Sequence, residues 1–156
     1  MDNKYMSEAL KEARIAFEKD EIPVGTVIVY ENRIIARAHN QIKLLKDPTA
    51  HAEMIAITQA ASYLQNERLI NTTMYVTIEP CTMCAGAMIL ARIKKLIYGA
   101  KDPKTGAFGS VLDINKKKLN HRLSVTKGVL EDDCADILRE FFRNKRTAAN
   151  YRALIK

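Results

Sequence analysis

Long apolar runs, linkers, internal repeats and a paired set of cysteines are all missing from this chain. Its most apolar stretch, Pro80 to Ala91, is far shorter than the roughly 20 residues that cross a bilayer, which excludes a membrane function. Three cysteines cannot form a disulfide framework. The first residues, Met1-Asp2-Asn3-Lys4, lack the charged-then-apolar profile of a secretory signal, so the expectation is a soluble, cytoplasmic protein. Without a Pro/Gly/Ser-rich break, residues 1–156 read as one domain, large enough to bury a core without staples. Acidic residues are in short supply: 18 Asp+Glu face 25 Lys+Arg, a net charge of +7. That excess suits a polyanionic partner, and equally describes a solvated basic surface.

Apolar residues at helical spacing (Met6, Leu10, Ala13, Phe17) predict a helix over 4–19, ended by Pro23. Val24 to Tyr30 and Arg33 to Ala38 read as a hairpin turning at Glu31-Asn32. Helices are expected over Ala52 to Tyr63, Thr82 to Ala91 and Asp132 to Arg146, with a short helical segment in Val111 to Lys118. Further strands are expected at Thr73 to Ile78, Lys95 to Gly99 and within Ser124 to Leu130. Strands alternating with helices imply an α/β fold: a three-layer α/β/α sandwich around a mixed five-stranded sheet that begins with a hairpin.

Chemistry concentrates in His51-Ala52-Glu53 and Pro80-Cys81-Thr82-Met83-Cys84. Cys81 and Cys84 are three apart at an expected helix start, where both sulfurs can face one side and the helix N-terminus favours thiolates. One imidazole and two thiolates suit zinc, one ion per subunit, with a fourth position left for water. Two thiolates neutralise the dication, so a carboxylate beside the water would be needed to take its proton, and Glu53 is placed for it. Taken alone, Cys-x-x-Cys also fits a redox pair or half of a closed structural site. A closed site would need a fourth ligand from His39, His121 or Cys134, none of which lies in a ligand-like pair.

The two segments together resemble the zinc-dependent cytidine/deoxycytidylate deaminase superfamily. Pro23-Val24-Gly25, Ala38-His39-Asn40, Pro48-Thr49-Ala50, Glu79-Pro80, Gly99 to Ala107 and Leu119-Asn120-His121-Arg122 make the chain similar, over roughly Met6 to Phe142, to its bacterial tRNA adenosine deaminase family. The resemblance implies a cytidine deaminase-like fold and conversion of the wobble adenosine of an anticodon to inosine. Zinc held by His51, Cys81 and Cys84 would activate hydroxide for attack on C6, with Glu53 shuttling protons and ammonia leaving. It further implies that Asn40 hydrogen-bonds the flipped base, that Val24 with its neighbours and Ala52 bind the substrate in the pocket, and that Asp102-Pro103-Lys104 and Asn120, His121 and Arg122 lie near the RNA. The partners expected are a tRNA anticodon stem-loop and a second copy of the chain; no nucleotide cofactor is required.

Read without the resemblance, Asn40 is a turn cap, His39 a structural side chain, Cys134 a small buried hydrophobe, and Lys116-Lys117-Lys118 a solvated face. The region 132–156 is basic: beside the aromatic Phe142 it carries Arg143, Lys145, Arg146, Arg152 and Lys156, a pattern that fits RNA contact. The helix from Thr82 has no polar face, which points to a homodimer contact around Met88 and Leu90. Two other functions compete: a deaminase of a free base or nucleotide (guanine or cytosine type), and a non-catalytic, zinc-stabilised RNA-binding module. Release of ammonia separates the module from both enzymes.

Overall fold

A computed structural model describes residues 1–155; Lys156, the last cation of the basic tail, lies outside the described residues. The chain runs α1 (Asp2–Glu18), β1 (Gly25–Tyr30), β2 (Arg33–His39), α2 (Ile42–Leu45), α3 (Ala52–Leu64), β3 (Thr73–Ile78), α4 (Thr82–Leu90), β4 (Lys95–Ala100), β5 (Ser124–Lys127) and α5 (Glu131–Leu154). The five strands form one sheet in the order β2-β1-β3-β4-β5. β1 is antiparallel to both neighbours, whereas β3, β4 and β5 are parallel. The hairpin turns on Glu31 and Asn32, both at positive φ (48° and 60°), the mirror-image turn whose twist matches the strands.

Alternation along the strands separates two cores. Val27, Val29, Tyr75 and Ile97 pack with Met6 and Ala9 of α1 and Cys134 of α5. Ile28, Met74, Val76, Leu96 and Tyr98 face the other way, onto Ala52, Ala56 and Ala60 of α3 and Cys84, Ala85 and Met88 of α4. The result is the expected three-layer α/β/α sandwich. α1 crosses β1 so closely that a Cβ on Gly25 would lie 2.0 Å from the Ala9 carbonyl oxygen, so only glycine fits there.

Three boundaries differ from expectation. The segment 111–118 supplies only a 3₁₀ turn, Ile114–Lys116, started by the Asp113 side chain, which accepts from the Asn115 N–H. β5 ends at Lys127 because Gly128 takes φ 78° and bends the chain back to donate to the Tyr98 carbonyl. α5 continues past Arg146 to Leu154, since no Gly or Pro interrupts it, making helix and tail one element. α4 also differs: Met88 is fully buried inside this protomer, so it cannot be part of a subunit contact. Met83, Gly86 and Ala87 are only partly covered and Leu90 is 80% exposed, which leaves one apolar stripe on that helix.

Candidate active site

The N-termini of α3 and α4 meet where β3 ends. His51 occupies the N-cap position of α3 and Cys81 that of α4, neither making a side-chain capping bond, and Cys84 follows one turn later. The His51 Nδ1 atom lies 3.8 Å from Cys81 Sγ and 3.6 Å from Cys84 Sγ. A tetrahedral zinc with bonds of about 2.3 Å to sulfur and about 2.0 Å to nitrogen separates such ligands by about 3.6 Å. The donor set therefore fits that ion, and among the described residues it is the one group of three ligand-type side chains within 4.8 Å of one another. Among the described residues no fourth side chain closes it: His39 is engaged with Glu12, His121 with the Ile93 carbonyl, and Cys134, on α5, faces the core on the other side of the sheet.

The electrostatics of this cluster follow from crowding at two helix ends. A hydrogen bond from Cys84, helped by His51, lowers the Cys81 thiol to about 4. Cys84 is pushed the other way by its hydrogen bond to Cys81 and by burial. Hydrogen bonding to Cys81 raises His51 despite its burial. Glu53, in the first turn of α3 and only 3% exposed, is raised by burial to about 7. A carboxyl group at that value can take and return a proton near neutrality.

These residues form one side of a cavity of about 190 Å³, with Ile22, Val24, Asn40, Ile42 and Ile78 around it and Asp102 and Thr105 at its rim. Asn40 is 95% buried (5% exposed), and its Oδ1 accepts the Ala52 N–H at 2.9 Å. It thus ties down the first turn of α3, not a turn of its own, and it also lines the cavity. The Val24 carbonyl in turn accepts the Asn40 N–H. Ala52 itself turns into the core, contributing only its backbone to this linkage. Glu21, a buried acid the sequence did not single out, accepts from the N–H groups of Lys43 and Leu44 and so holds α2, with Ile42, against the opening.

Lys104 is exposed beside the rim, between Asp102 and Thr105, and its N–H donates to Asp102. Asn120, His121 and Arg122 are not brought to the cavity. They precede β5, at the far end of the parallel strands, about 20 Å away at the usual rise per residue. There His121 and Arg122 line a separate cleft with Arg68, Arg92 and Lys94, and Arg92 donates to the Asn120 carbonyl. The basic residues of α5 stand nearer the site: Lys145 pairs with Asp20, which also pairs with Lys43 beside Ile42. Arg143, Arg146 and Arg152 are exposed; Phe142 is 42% exposed, edge-on to the buried Phe141.

The MafB19-like deaminase family matches residues 1–146. The chain belongs to this family. This deaminase is 47% identical over 146 residues to the tRNA-specific adenosine deaminase of Bacillus subtilis (strain 168), covering 93% of this chain and 91% of that one. It is 50% identical over 147 residues to the tRNA-specific adenosine deaminase of Haemophilus influenzae, covering 93% and 85% respectively. A solved structure from studies of A-to-I editing by tRNA:A34 deaminases at the wobble position superposes with a TM-score of 0.83 and 47% identity, covering 86% of this chain and 99% of that one. Among the described residues, no helix is long and apolar enough to cross a membrane.

Proposed function

We propose that this chain hydrolyses the wobble adenosine of a tRNA anticodon to inosine and ammonia. The observation that carries the reading is Glu53, a buried carboxyl raised to about 7, lining the same cavity as a cluster of three ligand-type side chains with no fourth among the described residues. His51, Cys81 and Cys84 would hold one zinc per subunit, which when bound supplies the Lewis acidity that makes water nucleophilic near neutral pH. Glu53 removes a proton from the attacking water and passes it to N1 of adenine. It then carries the second proton to the departing amino group, so one water is consumed and one ammonia leaves. The Asn40 amide orients the base, while Val24 and the isoleucines exclude solvent around it. No nucleotide cofactor enters this balance.

The substrate class is supported by the relatives' names and by charge. Arg143, Lys145, Arg146 and Arg152 make α5 a cationic arm beside the opening, with Phe142 available for stacking. Lys104 at the rim and the remote Arg68, Arg92, Lys94 and Arg122 cleft, with Asn120 and His121 holding its edges, suit phosphates farther along the stem. Such a substrate fits a cytoplasmic enzyme. The stripe Met83, Gly86, Ala87 and Leu90, spaced along one side of α4, is the surface for a homodimer.

The test is incubation of the zinc-loaded protein with an anticodon stem-loop carrying adenosine at the wobble position, scoring inosine and ammonia together. Equimolar formation of both is expected. Ammonia released from guanine or cytosine with no inosine in RNA would establish the free-base reading, and binding without ammonia the non-catalytic one.

A further inference from the structure

Glu79 stands directly before Pro80 and Cys81, yet its carboxylate is spent on a different segment. It is 1% exposed and makes no ion pair among the described residues. Instead it accepts from the N–H groups of Asp102 (3.1 Å), Phe108 (3.0 Å) and Ser110 (3.1 Å), and from the Ser110 hydroxyl. Gly106 closes against it: a Cβ there would lie 2.4 Å from the Glu79 carboxyl carbon. The loop 102–110 is thus wrapped around one buried side chain. Burying an anion without a cation is costly, and only this set of donors offsets it.

The wrapped loop also borders the cavity: Asp102 and Thr105 line it, and so does Glu79 between the metal ligands and that loop. We propose that Glu79 is a positioning residue for RNA recognition, holding the 102–110 rim in the shape that grips substrate while taking no part in the proton transfers. The inference rests on the RNA-deaminase reading. It separates two roles along one short stretch of chain: Cys81 and Cys84 for the metal, Glu79 for the rim.

Two variants approach the contact from opposite sides. Glu79→Gln keeps the volume but turns an NH₂ group toward donors. Gly106→Ala leaves Glu79 intact and forces the rim off it. Each should raise KM for the anticodon stem-loop by about tenfold, while kcat per bound zinc changes by less than about threefold. Zinc content should be unchanged, and hydrogen exchange at the amides of 102, 108 and 110 should accelerate. Ser110→Ala, which leaves three N–H donors in place, should give a smaller KM shift in the same direction. An unchanged KM in both variants, or loss of zinc with unaltered exchange, would overturn the role. A merely structural role would lower melting temperature and active fraction without moving KM. If Glu79→Gln does not fold, Gly106→Ala decides by the same readouts. Wild-type enzyme run alongside keeps the two readings apart, because its failure to form inosine counts against the RNA substrate, whereas wild-type-like exchange and KM in the variants count against Glu79.

Discussion

The Asn40 side chain and the Ala52 backbone are joined by a 2.9 Å hydrogen bond that ties the end of β2 to the first turn of α3. Because His51 and Glu53 flank Ala52, this one bond orients both a metal ligand and the proton shuttle. Asn40→Ala should therefore cost about 1 kcal/mol of stability, as loss of a helix cap does. Asn40→Asp keeps the oxygen that accepts the Ala52 N–H, at the cost of a buried carboxylate, and should lose turnover beyond its loss of stability because the amide group is gone. Equal activity in the Asp variant would limit Asn40 to capping.

Glu53→Gln should retain zinc and RNA binding and lose turnover by about 10²–10⁴-fold, the worth of general acid–base catalysis. Inosine formation per bound zinc is the measurement. Near-normal turnover would remove Glu53 from the mechanism.

Zinc binding should tighten as pH rises. Cys81, lowered to about 4, has already lost its proton at neutrality, whereas Cys84 is raised and His51 is raised, so both must shed protons to ligate. Titration calorimetry near pH 7 in two buffers of different ionisation enthalpy should find about one to two protons released per zinc. An affinity flat from about pH 6 to 8 would contradict this assignment of charge.

Gly25→Ala should destabilise by about 3 kcal/mol or more, because the new Cβ meets backbone rather than a movable side chain. The atoms in its way are the Ala9 carbonyl oxygen at 2.0 Å and the Ala13 nitrogen at 2.4 Å. A urea midpoint equal to wild type would show that α1 can lift off β1 at little cost.

Replacing Arg143, Arg146 and Arg152 together by Gln should flatten the slope of log RNA affinity against log salt by about 2, at about 0.7 per phosphate contact. Lys145 is left in place because it ties α5 to Asp20. Zinc content should not change. An unaltered slope would make this face of α5 a solvated surface.

Much of the molecule was readable along the chain because its signals are local. Thr73–Ile78 is the strand expected, bounded by polar residues on one side and Pro80 on the other. The spacing of Cys81 and Cys84 at a helix start already brings two ligands to one side of a turn. Where an outcome depended on a distant partner, reading along the chain failed. Met88 looks like every other residue of an apolar helix, and only the cover supplied by the sheet and α3 makes it interior while Leu90 stays out. Glu79 was visible as a neighbour of the cysteine pair, but its donors come 23 to 31 residues later, from a loop with no periodicity.

By itself, then, the sequence determined most of the elements, though not the short α2, and the residue types able to hold a metal and move a proton, since these depend on neighbours within a turn or a strand. Only tertiary structure decided that two helix N-termini converge so that His51 reaches both sulfurs, that burial raises Glu53 into the neutral range, and that Glu79 turns to the rim. Distances between segments and the desolvation of a carboxylate are properties of packing, and packing is set by contacts that no local pattern records.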